Sequence, residues 1–188
     1  MSSFDRPQQP ESGVSAWIAR FAPLIASGGT VLDLAAGHGR HTRFLLARGH
    51  RVIAADIDVS DLRDLEQHTR CEIIEADLET GKWPFIGRAF DGIVVTNYLH
   101  RPHFSRLVDS LAVDGVLLVE TFAAGNERFG RPRNPDFLLQ PGELLQAFAG
   151  ELQVVAYEHG LELAPRPAVR QRLCAVREAR PRELVPND

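Results

Sequence analysis

Short apolar runs recur along the chain, bounded by Gly, Pro, Asp or Asn, and between them apolar positions fall at helical spacing. Val14, Trp17, Ile18 and Phe21 predict a first helix, with Ser12 placed to cap it and Pro23 to end it near Arg20 or Phe21. "TVLDLA" predicts a strand from Thr30, and Arg40 to Ala47 a helix closed by Gly49. "RVIAAD" is the next strand, followed by "SDLRDLEQH", a short helix that Ser60 can cap. "CEIIEAD" and "FDGIVVT" are strands joined by a link that Gly81, Pro84 and Gly87 mark as loop. Pro102 opens a helix running to about Leu111, and "GVLLVETF" is a buried strand. "AAGNERFGRPRNPDFLLQ", residues 123–140, reads as a long structureless loop, a length that usually means function or disorder. Pro141 suits the first position of the helix "PGELLQAF". "LQVVAYEHGLEL" and "AVRQRLCAVREA" are the last two strands.

Strands rich in Val, Ile and Leu that alternate with helices predict an α/β protein with a mostly parallel, doubly wound sheet of seven strands. The last two have no helix between them, so they should form a C-terminal antiparallel hairpin. One domain is expected over residues 12–180, with polar tails at 1–11 and 181–188 and a substrate-side loop at 123–140.

Composition narrows this little. The 188 residues are 44% hydrophobic and 24% charged, as in an ordinary globular domain. A net charge of -4 gives no global attraction to nucleic acid or to a membrane surface. Cys71 and Cys174 are far apart and form no CxxC, so both are expected as buried, inert thiols, with no metal site. The polar, Pro-rich start "MSSFDRPQQPESG" lacks a signal-peptide pattern and predicts a cytoplasmic protein.

The stretch "VLDLAAGHGRHT" carries the chemistry. Gly37 and Gly39 supply two small positions of a nucleotide-binding turn, but Thr42 stands where a dinucleotide fingerprint wants its third Gly. Such a turn also occurs for steric reasons alone. Asp33 would repel a pyrophosphate and favour an ammonium group. Asp56 ends the second strand about 20 residues on, where a carboxylate can accept from ribose hydroxyls. Asp77 ends the third strand, where it can meet an adenine amine. Three carboxylates at successive strand ends fit a nucleoside with an amino-acid tail, S-adenosylmethionine.

These segments resemble the class I S-adenosylmethionine-dependent methyltransferases. "VLDLAAGHG" looks like their first motif, "AADID" the ribose motif, "EADLE" the adenine-side motif, and "FDGIVVTNYLHRP" and "AVDGVLLVETF" those of the fourth and fifth strands. The compact chain and "NYLHRP" are similar to small bacterial enzymes of the tellurite-resistance methyltransferase type. One departure is Ala35, at a position where Gly is frequent. The resemblance implies a Rossmann-like fold and a cofactor site of Asp33, Ala35, Gly37, Gly39, Asp56, Ile57, Asp77, Leu78 and Asn97.

Methyl transfer mainly needs alignment and exclusion of water, at the switch point past the first and fourth strands. Asn97, Tyr98, His100, Arg101 and His103 lie there, and His100 is the base candidate because its ordinary pKa, ~6.5, suits neutral pH. Glu120, Asn126, Arg128, Phe129 and Arg131, with Arg133 beside them, are candidates for holding a small-molecule acceptor, an anionic one if the arginines set the charge. Arg166, Arg170, Arg172, Arg177, Arg180 and Arg182 alternate with apolar positions and read as an exposed sheet face, so no nucleic-acid partner is expected. Two other functions stay open: a nicotinamide-dependent reductase, and a non-catalytic partner or adaptor subunit on the same scaffold.

Overall fold

A computed structural model describes residues 13–80 and 82–178. The expected tails, Ser12, Gly81, Arg180 and Arg182 lie outside the described residues. Helices α1 (Ala16–Phe21), α2 (Arg40–Ala47), α3 (Phe104–Asp109) and α4 (Glu143–Phe148) flank strands β1 (Thr30–Leu34), β2 (Arg51–Asp56), β3 (Cys71–Glu75), β4 (Phe90–Thr96), β5 (Leu111–Phe122), β6 (Gln153–Glu162) and β7 (Ala168–Val176). The strands form one sheet in the order β3-β2-β1-β4-β5-β7-β6. Strands β1 to β5 pair in parallel, while β7 runs antiparallel to β5 and pairs antiparallel with β6.

Both faces of the sheet are buried, as a parallel sheet requires. Leu32, Leu34, Ile93, Val95, Leu117 and Val119 share a core with Leu107 of α3 and Leu144 and Phe148 of α4. Val31, Ala54, Val94, Leu118 and Cys174 pack on the other side against Trp17 and Ile18 of α1 and Leu45 of α2. The chain order reverses between β1, which leads outward to β2 and β3, and β4, which leads to β5, so the switch point lies past β1 and β4.

The local departures from expectation have identifiable causes. Ser15 is the N-cap of α1, its hydroxyl accepting from the Trp17 and Ile18 amides. Ser60 opens a 3-10 turn, Ser60–Leu65, without capping it, and its own amide donates to Asp58 instead. Pro102 sits in a 3-10 turn, Arg101–His103, that leads into α3, and Leu111 has already joined β5 by pairing with Phe90. The segment 123–140 is folded: it holds 3-10 turns at Asn126–Arg128 and Pro135–Phe137, and Ala123 bridges to Leu139. Helix α4 starts after Gly142, which adopts φ 78°, so Pro141 precedes it rather than opening it. Cys174 is buried, whereas Cys71 is only half-buried.

Candidate functional site

The turn from β1 into α2 is built on left-handed backbone. Ala35, Gly37 and Gly39 adopt φ 56°, 54° and 73°. A Cβ on Gly39 would lie 2.3 Å from Leu62 Cδ2, so a side chain here would have to displace Leu62 as well as strain the backbone. A Cβ on Gly37 would meet nothing within 4 Å, so that face of the turn is open. Ala35 takes a conformation that disfavours every residue with a Cβ, which accounts for the Gly usual there.

Asp56 closes this turn against β2. Its Oδ2 accepts the Gly37 amide at 2.8 Å and its Oδ1 accepts the Asp58 amide at 3.1 Å, with 9% of the residue exposed. Thr42, in place of a third Gly, donates its hydroxyl to Asp33 Oδ2 at 2.6 Å. Both are buried, and burial pushes the Asp33 carboxyl up to about 6, against the pull of the Thr42 hydrogen bonds and the Arg40 charge. Asp33 thus lies under the turn, facing the first turn of α2.

Asp77 lies beyond the end of β3, fully exposed, and closes its own turn. It accepts from the Glu79 and Thr80 amides at 2.9 and 3.1 Å and from the Thr80 hydroxyl, bonds that hold its pKa below the usual carboxylate range. Leu78 is buried next to it, while Ile57 is exposed past β2.

Past β4, Asn97 adopts φ 53° and its Oδ1 accepts from Arg170 Nη1 at 2.7 Å. The Tyr98 hydroxyl is buried without a hydrogen-bond partner among the described residues. Burial raises its pKa, helped by the charges of Glu79, Asp77 and Asp56, so Tyr98 belongs to the acidic side of the edge. His100 rests on His103 with ring centroids 4.4 Å apart, and His103 packs on Trp83 at 4.9 Å. Burial first, and the neighbouring His100 next, lower the His103 pKa to about 4, while the nearby Leu78 backbone works against that shift.

The residues expected to hold an acceptor divide. Glu120 is buried in a network, accepting from Ser15 Oγ at 3.0 Å and Arg172 Nε at 2.6 Å. Asn126 is buried and pins the loop, donating to the Pro132 carbonyl and accepting the Val169 amide at 3.2 Å. Arg128, Phe129 and Arg131 are exposed on that loop, the Arg128 guanidinium 5.9 Å from the Phe129 ring. Arg101 is a latch: it grips Glu143 at 2.6 and 3.1 Å and donates to the carbonyls of Asp136 and Leu138 at 2.6 and 3.0 Å.

The sequence reading missed Ser15, His41, Thr96, Arg170 and Arg172. Arg170 is 5% exposed and lies over the Phe122 ring at 4.4 Å, so it is no part of an exposed face. Arg172 is half-buried between Glu120, Glu158 and Glu162. Arg170 and Arg172 two residues apart on β7, with Glu158 opposite Arg172 and Glu162 further along β6, are the signal that could have shown this pairing. Nothing local to His41 could have done so.

Residues 31–113 match the family model described as a methyltransferase domain. No curated protein sequence matches the chain. Among solved structures, TehB from Haemophilus influenzae is similar at a TM-score of 0.68 and 19% identity, over 83% of this chain and 60% of that one. The Burkholderia thailandensis 1,6-didemethyltoxoflavin-N1-methyltransferase, with 1,6-didemethyltoxoflavin and S-adenosylhomocysteine bound, gives 0.66 and 21%, over 87% of this chain and 76% of that one. The N-methyltransferase NodS from Bradyrhizobium japonicum WM9 gives 0.61 and 17%, over 84% and 93%.

The matched segment covers less than half of the chain, and the seven-stranded fold is the one these methyltransferase structures share. The chain spans 60% of the length of TehB.

Proposed function

We propose that this chain binds S-adenosylmethionine across the carboxyl ends of β1, β2 and β3 and transfers its methyl group to a small-molecule acceptor. The observation that carries the reading is the Asp56–Gly37 hydrogen bond, which couples the ribose-binding position to the open turn. Ala35, Gly37 and Gly39 would hold the methionine tail, with Asp33 supplying negative charge beneath it. Asp56 would accept from the ribose hydroxyls on lone pairs its backbone bonds leave over. Ile57, Asp77 and Leu78 would flank the adenine, and Asn97 the passage to the acceptor. A reductase is disfavoured by Thr42, whose hydroxyl is committed to Asp33. The described residues contain no helix long and apolar enough to cross a membrane, and we place the protein in the cytoplasm.

The bound cofactor supplies a methyl group already activated by a sulfonium. The chain's own residues then have to orient an acceptor and exclude water. A groove of about 540 Å³ runs along β6 and β7, and Arg170 joins it to Asn97. Its arginines are largely buried, with side chains 6% and 18% exposed, while Glu158 and Glu162 are 50% and 33% exposed. The carboxylates are the more exposed partners of these ion pairs, which we read as favouring a basic nitrogen over the anion suggested by Arg128 and Arg131. Two of the similar structures are N-methyltransferases by name, which agrees. His100, stacked on His103 and adding to the field that keeps Asp77 ionised, belongs to the cofactor side rather than to proton removal.

Turnover of labelled cofactor against amines, thiols, carboxylates and metalloid oxyanions tests the acceptor class. Amines should be methylated, and a preference for thiols or oxyanions would contradict the reading of the groove.

A further inference from the structure

Residues Gly13 to Ser15 cross the carboxyl edge of the sheet between the Gly-rich turn and the β6–β7 groove, and they are bolted at several points. Arg40 Nη1 donates to the Gly13 carbonyl at 3.1 Å. The Ser15 amide donates to His41 Nε2 at 3.2 Å, and the Ser15 hydroxyl donates to Glu120 Oε2 at 3.0 Å. The other ring nitrogen, His41 Nδ1, lies 3.2 Å from Thr96 Oγ1 at the end of β4. One imidazole therefore joins α2, β4 and the segment leading into α1. His41 is 1% exposed, and Ser15, Thr96 and Glu120 are all below 9%.

This geometry fixes the protonation state. A nitrogen that accepts an N–H carries no proton, so Nδ1 holds the single proton and donates to Thr96. We propose that His41 is a positioning residue that holds Gly13–Ser15 as a strap only while its ring is neutral, so that acid releases the strap and the start of α1. Protonation would set an Nε2–H against the Ser15 N–H, in a site where a lost hydrogen bond is not replaced by water. The charged groups around the ring are mixed. Glu120 of β5 is paired with Arg172 of β7, and Arg40 of α2 holds the Gly13 carbonyl. Asp33 of β1 is held by Thr42, the next residue along α2, and the charged residue of α1 is Arg20, lying over Phe21. That the strap borders a cofactor site rests on the methyltransferase reading. Its attachment to His41 does not, and can be measured without cofactor.

The test follows amide exchange in the full chain from pH 8 to pH 5, as protection factors at Ser15 to Ile18 against core amides of β1 and β4. Protection of the strap should fall on the order of tenfold or more as the His41 ring titrates, while the core amides stay flat. His41→Gln keeps an acceptor that cannot titrate, and should flatten the strap's profile. An NMR titration of the wild-type imidazole, needing no variant, should show the Nδ1–H tautomer at neutral pH and its loss together with strap protection. Strap protection that ignores pH, an unchanged profile in His41→Gln, or an Nε2–H tautomer at neutral pH would each overturn the proposal.

Discussion

The amide of Gly37 donates to Asp56 Oδ2 at 2.8 Å, so a carboxylate at the end of one strand sets the shape of the turn that follows its neighbour. The open face of Gly37 and the carboxylate therefore present themselves to a ligand as one surface. Asp56→Ala should weaken cofactor binding by about 1.5–3 kcal/mol, the range for hydrogen bonds to a charged group. Calorimetry on a variant with a native circular dichroism spectrum reads this. Unchanged affinity would take Asp56 out of the site.

Asp33 makes stability fall as pH rises. Its folded pKa of about 6 lies above the ordinary carboxyl value of 3.8, so the native state holds the proton more tightly than the unfolded chain does. Stability is greatest below ~pH 4, declines as pH rises toward 6, and above that carries the full cost of the buried charge, on the order of 3 kcal/mol. Asp33→Asn keeps an acceptor for Thr42 and removes that cost. Thermal melts should show a gain of about 1–3 kcal/mol at pH 8 that shrinks toward pH 5. Equal effects at both pH values would show that Asp33 is not the group responsible.

Ala35 at φ 56° is strained in a way glycine relieves. Ala35→Gly should stabilise the fold by up to about 1 kcal/mol, the strain released outweighing the added freedom of the unfolded chain. Denaturant titration with an unchanged slope would show it, and a loss of stability would mean that the turn relaxes some other way.

Much of this is legible in the sequence. The bounds of β1, α2 and β2 follow from apolar runs and turn residues close together in the chain, and the final hairpin follows from a missing helix. The carboxylates at strand ends are legible because topology alone brings them to one edge. The ordering of residues 123–140 is not, because the Arg101 grip on Asp136, Leu138 and Glu143 spans more than thirty residues. Glu120 likewise looks available until Ser15, 105 residues away, and Arg172 are seen to bind it. Composition suggests a loose lid there, and long-range hydrogen bonds make a latched one.

Arg101→Ala should therefore loosen that loop. Exchange at residues 136–143 should quicken while amides in β1 and β4 keep their protection, and cofactor affinity should change little. If the loop stays protected, two other pins hold it without the latch: Asn126, and Gln171, whose Nε2 donates to the Gln140 carbonyl at 2.6 Å.

The groove and the stacked histidines separate two kinds of loss. Glu158→Gln should raise KM for an amine acceptor with kcat nearly unchanged, as expected for lost binding in the ground state. His100→Ala should act mainly through cofactor affinity. A general base would instead cost about 10²–10⁴ in kcat, and a collapse of that size in His100→Ala would return His100 to the reaction itself.

The central claim is that the open turn at Gly37 receives the methionine tail of S-adenosylmethionine. Calorimetric titration of the wild type and of Gly37→Val with S-adenosylhomocysteine tests it most directly, because a β-branched side chain there would fill the space the tail requires and strain a left-handed residue. The wild type should bind one equivalent, and Gly37→Val should show no measurable binding while retaining its strand and helix content. A wild type that binds nothing, or a folded Gly37→Val that binds as the wild type does, would contradict the account.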